Sequence, residues 1–374
     1  MRAKSLVERL LAEPVIHPRN NVLSVTERAR RRHAFFRALQ REVGLRDEAF
    51  VHVAGTKGKG SVCELVRAGL VAEGFRVGTF TSPHLHSVCE RIRVGSEPVA
   101  FSELERVGAE ALRRVEAVDT VVDDALTEKA WGAVFFDRLL AAALLHFGER
   151  GCDAVVMEAG IGGLYDSTNF LDTHALGVVT SISKDHTALL GDTLADIAAH
   201  KAGIARNERP LLTAASLPPE ALDVVRSEAQ LRGARLEEVH GGDDDDDNRA
   251  LADRACRRFF ESSSSSSSDH QDDRHPSFKV DFSRARWPGR FEELAVRGTT
   301  VLVDCAHNGA SVRRLLRSLP SENRWHVVFG CGHEKEDVNE DMLSVLVDEA
   351  HRFTDLAFAE AGIDKDKPLP PQKQ

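Results

Sequence analysis

Residues 51–66, VHVAGTKGKGSVCELV, set three glycines, two lysines and a serine between an apolar run and a helical period. That combination is suited to phosphate. Gly55, Gly58 and Gly60 omit Cβ atoms where backbone must approach an anion, and a turn feeding a helix aims N–H groups and the positive helix end at one spot. Lys59 can reach β- and γ-phosphates as a point charge, and the Ser61 hydroxyl can ligate Mg²⁺. The spacing differs from GxxxxGK[ST], because Gly60 separates Lys59 from Ser61. A glycine-rich surface turn is the bland alternative, disfavoured by the flanking strand and helix. Glu158 ends a short apolar run, at the sheet edge where open α/β folds bind ligands, and a carboxylate there is a hard ligand for Mg²⁺. An isolated glutamate also reads as a solvated residue or a helix cap; Gly160, Gly162 and Gly163 behind it favour a site. His186 follows another apolar run beside Asp185, although Mg²⁺ prefers oxygen and a satisfied loop histidine is the plain alternative. Lys201, in AAHKAGI, lies on the helix after that run, with an ordinary surface lysine as the bland alternative.

Such residues need a frame. From residue 50, short β-branched runs alternate with helical periods, the signature of stacked βαβ units and a largely parallel sheet. The pattern predicts strands at 50–54, 76–81, 154–157, 176–182 and 210–214, with helices at 61–73, 127–147 and 194–204. Residues 241–285 break it. GGDDDDD and Ser262 to Ser268 are low-complexity segments that cannot bury enough apolar surface to offset their ordering entropy. They bracket a short helical piece, 249–260. Beyond them, strands at 300–303, 326–329 and 356–359 alternate with helices at 309–319 and 338–353, a sheet of few members with two edges. The expected division is an ATP-binding domain over 1–240 with an N-terminal helical segment, an insert and linker over 241–285, and a short second domain over 286–374.

GTKGKGS, TSPHL, ERIRV, EAGIGGLYDSTN, SKDHTALLGDTLADIAAHKAGI, WPGR and DCAHN, in that order, resemble the folylpolyglutamate synthase and dihydrofolate synthase family of the Mur ligase superfamily. The likeness is dense over 50–210 and looser over 285–335. It implies a P-loop-type, mostly parallel sheet flanked by helices, with a smaller Rossmann-like α/β domain after it. It also implies a ligase that spends ATP to join L-glutamate to a folate carboxylate through an acyl phosphate. Folylpolyglutamate synthesis is favoured; dihydrofolate synthesis or both activities together are the alternatives. The matching positions make Gly55, Thr56, Gly58, Lys59, Gly60 and Ser61 the nucleotide loop, joined by Asn248, Arg290 and Asp304. Ser61, Ser82, Glu158 and His186 match magnesium ligands, Lys201 a carbamylated lysine, and Lys59, Lys201 and His307 the catalytic set. Lys57 stands where bacterial members commonly have Asn, Arg249 where Ala is usual and Cys305 where Gly is common, and the second domain is shorter than the family pattern. Readings of a different class are a plain P-loop ATPase or kinase, and a truncated homologue that binds nucleotide without turning over.

Composition narrows the field further. The chain has 374 residues, 42% hydrophobic and 29% charged, which suits a globular protein of two or three domains. The net charge of −10 argues against a nucleic-acid or membrane-surface binder. That charge is uneven, with five aspartates at 243–247 and a net basic first fifty residues. Six scattered cysteines, with no CxxC pair, read as reduced thiols of an intracellular protein. No apolar run approaches the roughly 18–20 residues that span a bilayer. The opening twenty residues are weakly amphipathic, but Glu8 and Glu13 count against a transit peptide. The expectation is a cytoplasmic monomer, with mitochondrial or plastid targeting as alternatives, whose partners are ATP, L-glutamate and a reduced folate.

Overall fold

The computed structural model describes residues 24–119, 132–241, 244–264, 280–283, 285, 288–306, 309–331 and 336–360. They fall into two units, Met1–Arg286 and Trp287–Gln374.

The first unit is built on eight strands: β1 (Phe50–Ala54), β2 (Val77–Phe80), β3 (Ile92–Val94), β4 (Glu97–Pro98), β5 (Ala154–Glu158), β6 (Leu176–Val179), β7 (Pro210–Ala214) and β8 (Arg235–Val239). Their order is β4-β3-β2-β5-β1-β6-β7-β8. All neighbours from β2 to β8 pair in parallel, while β3 and β4 add an antiparallel edge. Strands β1, β2, β5 and β6 are wholly buried, which is why they read as continuous apolar runs rather than alternations. Register sets Glu158 beside Val53 and Val179 beside Ala54, so the loops leaving β1, β5 and β6 share one edge of the sheet.

Helices α1 (Val25–Glu42), α2 (Lys59–Ala72), α3 (Phe101–Asp119), α4 (Phe135–Glu149), α5 (Thr187–Leu190), α6 (Leu194–Ala202), α7 (Pro219–Leu231) and α8 (Asp244–Ser264) cover the sheet. Alternation along β1 divides the packing. Phe50 joins a cluster with Phe36 of α1, Leu104 of α3 and Leu144 of α4, whereas Val51 and Val53 join Val62 and Val66 of α2 and Ala255 of α8. The helix predicted at 127–147 starts at Phe135 among the described residues, where the Asp137 carboxylate accepts the Val134 N–H at 2.9 Å and caps it. Residues 127–131 lie outside the described residues.

The expected linker at 241–285 gives way over α8. Leu251, Ala252, Ala255, Cys256 and Phe259 form one apolar helical face, fully buried in the first unit's core. The approach to α2 is close: a Cβ on Gly69 would fall 2.6 Å from Val280 Cγ1 and 2.8 Å from Cys256 Sγ. The aspartate and serine runs hide this face from a reading based on composition.

The second unit holds β9 (Glu292–Val296), β10 (Thr299–Val303), α9 (Gly309–Ser318), β11 (Trp325–Cys331), α10 (Glu336–Asp348) and β12 (Phe353–Glu360). Instead of one three-stranded sheet, the described residues form an antiparallel pair, β9 with β10, and a parallel pair, β11 with β12. Arg297 and Gly298 turn the first pair with φ of +49° and +82°, as a two-residue type I′ turn requires. Val312, Leu316, Met342, Val345, Leu346 and Phe353 form the small core. No helix among the described residues is long and apolar enough to cross a membrane.

Candidate active site

The phosphate loop leaves the buried end of β1 and enters α2 at Lys59, two residues before the predicted start. Gly58 caps the helix in the left-handed region, φ +82°, a conformation that favours glycine. A Cβ there would fall 2.3 Å from Asn248 Oδ1, so the Asn248 carboxamide lies against the loop. Asn248 is the fifth residue of α8, within the first unit rather than the second. Its neighbour Asp247 accepts the Gly241 N–H at 2.9 Å and the Ser216 hydroxyl, which anchors the start of the helix. The Lys59 ammonium folds back onto the carbonyls of Gly55, at 3.0 Å, and Thr56, at 3.2 Å. The first amides of α2 have no intrahelical acceptor and are suited to phosphate oxygens.

Three further predicted residues stand at the carboxyl ends of neighbouring strands. Glu158 ends β5 and is buried, and one carboxylate oxygen accepts the Ser82 N–H at 2.8 Å just past β2. His186 lies beyond β6 at φ +51°, half-exposed, with Nε2 3.9 Å from Asp185. The buried Glu158 carboxylate and the half-buried Ser61 and Ser82 hydroxyls are oxygen donors that fit a hard cation; the His186 imidazole fits less closely. The structure brings Ser82 and Glu158 into direct contact, while the His186 side chain lies beside Asp185 rather than against either of them.

Lys201 is not a surface residue. It is 3% exposed, and its ammonium donates to the Gly55 carbonyl at 2.9 Å across 146 positions of sequence. Burial, reinforced by the charge of Lys59, pushes its amine down to about 7, against the opposing pull of Asp185 and Asp166. A buried lysine held near neutrality offers a free amine for reaction with CO₂.

The motifs around the loop divide into site and scaffold. Asp166 of YDSTN accepts the N–H groups of Ile161, at 2.9 Å, and Thr168, at 3.0 Å, and Asn169 Nδ2 donates to Leu164 O at 3.0 Å, so this loop is braced from within. Arg93 of ERIRV belongs to a buried network with Glu64 and Arg67, whereas Arg91 stacks over Phe135 at 5.0 Å and donates to His84 Nδ1 at 2.9 Å. Thr180, Ser181 and Ser183, just past β6, bond to the loop and were not among the expected site residues. Their only sequence signal is a run of hydroxyls after a strand.

In the second unit, the WPGR and DCAHN segments are tied together. The Cys305 N–H donates to Gly289 O at 2.9 Å and the Phe291 N–H to Asp304 Oδ2 at 2.9 Å, which sets Arg290 beside the Asp304 segment. Asp304 Oδ1 is buried and has no hydrogen-bond partner among the described residues. His307 lies outside the described residues.

The Mur ligase, glutamate ligase domain family matches residues 289–368. The dihydrofolate synthase/folylpolyglutamate synthase of Bacillus subtilis is 31% identical over 348 residues, covering 84% of this chain and 78% of that protein. Several further curated relatives are covered over only 28% to 39% of their own length. The apo form of the L. casei folylpolyglutamate synthase shares the fold, with a TM-score of 0.75 at 22% identity over 98% of this chain and 89% of that one. The E. coli FolC complex with DHPP and ADP has a TM-score of 0.66 at 26% identity, covering 88% and 77% of the two chains.

Proposed function

The chain belongs to the folylpolyglutamate synthase and dihydrofolate synthase family of Mur ligases, and from that premise we propose that it is an ATP-dependent ligase that adds L-glutamate to a folate carboxylate. The observation that carries this reading is the loop between β1 and α2, with Gly58 against Asn248 and two lysines on the Gly55 carbonyl.

In this reaction the substrate carboxylate attacks the γ-phosphorus of ATP, ADP leaves, and the resulting acyl phosphate is attacked by the glutamate amino group. Phosphate departs and an amide remains. Positioning and charge neutralisation supply most of the catalysis in phosphoryl transfer. The α2 amides and Lys59 would hold the phosphates, and Asn248 would support the loop from the α8 side. Ser61, Ser82, Glu158 and His186 would hold magnesium, which when bound supplies neutralising charge at phosphate oxygens. Lys201, buried with its amine near neutrality, is suited to carbamylation, which would replace a cation beside Lys59 with an anion. Arg290 and Asp304, with His307, would take the nucleotide roles implied by their motifs, and Asp304 Oδ1 offers a buried acceptor without a partner among the described residues.

The relative in Bacillus subtilis carries both activities in its name, so two acceptors must be compared. The test is incubation of the full chain with Mg-ATP, L-glutamate and either dihydropteroate or tetrahydrofolate, read by mass. One added glutamyl unit on tetrahydrofolate is the expected result. Folded protein that extends neither acceptor overturns the reading, and ATP hydrolysis independent of both acceptor and glutamate would point to a plain ATPase.

A further inference from the structure

Three residues after β6, Thr180, Ser181 and Ser183, grip the first half of the phosphate loop through both main chain and side chains. The Thr56 N–H donates to Ser181 O at 2.7 Å, while Thr56 Oγ1 donates to Ser183 O and accepts the Ser183 N–H, each at 3.1 Å. Lys57 is held more fully. Its N–H donates to Ser181 Oγ at 3.0 Å, and its carbonyl accepts Thr180 Oγ1 at 2.6 Å and Ser181 Oγ at 3.1 Å. Gly55 leaves room for this arrangement, since a Cβ there would fall 1.9 Å from Thr180 Oγ1.

These bonds take the Lys57 N–H away from any phosphate and leave the amides from Gly58 onward to face it. The direction of those amides follows from where residues 56 and 57 are held, because a tight turn transmits the orientation of one peptide plane to the next. The gripping segment then runs directly into Asp185 and His186.

We propose that Thr180 and Ser181 are positioning residues: their hydroxyls set the phosphate loop for nucleotide and lock it to the segment that carries Asp185 and His186. This rests on the nucleotide-binding reading of the loop. A scaffold role alone would lower stability without distinguishing one substrate from another.

The test compares Thr180→Ala, Ser181→Ala and the conservative Thr180→Ser in the full chain. Folding is checked by thermal unfolding, ADP affinity is measured by equilibrium titration without acceptor or glutamate, and KM is measured for ATP and for L-glutamate. Each alanine variant is expected to weaken ADP binding and raise KM for ATP by about tenfold or more, with KM for glutamate within about twofold, since a lost charge-neutral hydrogen bond network is read at the nucleotide alone. Thr180→Ser should restore ADP affinity to within about threefold, because the hydroxyl and not the methyl is what bonds to Lys57. Wild-type ADP affinity in the folded alanine variants would overturn the proposal. So would equal weakening toward ATP and glutamate, or no rescue by serine. A wild-type chain that binds no ADP would instead sink the nucleotide reading, and the clamp with it.

Discussion

Lys59 and Lys201 meet at a single atom: their ammonium groups lie 3.0 Å and 2.9 Å from the carbonyl oxygen of Gly55. Lys201 is buried besides, and burial together with the neighbouring Lys59 charge holds its amine down to about 7. The loop's own lysine thus shares its carbonyl partner with Lys201 of α6, whose charge burial makes conditional.

That condition has a stability consequence. Above pH 10.5 the Lys201 amine is neutral in both the folded and unfolded chain. As pH falls from 10.5 to about 7, the unfolded chain takes up a proton that the folded chain refuses, so stability is lost over this window and no further below it. We expect Lys201→Met to be more stable than wild type at pH 7 by on the order of 2 kcal/mol, yet about 100-fold or more slower in ligation. Urea unfolding beside a ligation assay checks both halves, and unchanged stability would mean the amine is not held near neutrality.

Glu158 accepts the Ser82 N–H and stands at the carboxyl end of β5, in register with Val53 of β1. Glu158→Gln retains an oxygen for that hydrogen bond but loses the charge. We expect it, like Lys59→Ala, to lose ligation by about 100-fold or more while unfolding at close to the wild-type temperature. Near-normal turnover in either variant would misplace the site.

Two glycines of the same region should separate function from stability. A methyl at Gly58 meets Asn248 and strains a left-handed backbone, whereas one at Gly69 meets Val280 and Cys256 at the α2–α8 contact. Gly58→Ala should abolish detectable nucleotide binding. Gly69→Ala should cost about 1–3 kcal/mol through overpacking with KM for ATP unchanged in the folded fraction. Equal effects of the two on ADP titration would refute the distinction.

Two histidines are fully buried, His52 within β1 and His174 two residues before β6. His52 Nε2 is 2.8 Å from Thr168 Oγ1 and His174 Nε2 is 2.9 Å from Ile204 O, and burial holds both below their ordinary value of 6.5, His174 down to about 3. Below pH 6.5 the unfolded chain protonates these rings and the folded chain does not, so stability falls, with a slope approaching roughly 1.4 kcal/mol per pH unit for each ring. For His174 the loss continues to about pH 3. Denaturant midpoints at pH 7, 5.5 and 4.5 should decline less steeply in His174→Gln than in wild type, and parallel declines would exclude this histidine as a source of acid sensitivity.

The alternation from residue 50 onward revealed the parallel sheet because β1, β5, β6 and β7 each form one apolar run whose burial needs no partner to be named. Strands β3, β4 and β8, short or polar at an edge, left no such mark. Helix α8 carried its apolar face at 251, 252, 255, 256 and 259, but the aspartate and serine runs on either side masked it as a linker.

Residue types and near neighbours alone marked the glycine-rich loop, Lys59 and Glu158 as candidates, since glycine spacing, a strand end and a charge are properties of a few consecutive positions. Only the tertiary structure decided that Lys201 is buried on Gly55, that Asn248 covers Gly58, and that Ser181 holds Lys57 from 124 positions away. Those relationships depend on β1 lying beside β6 and on α8 packing against α2. A hydrogen bond between distant residues follows from which strands are neighbours in the sheet, and strand order is a property of the whole packed chain rather than of any one segment.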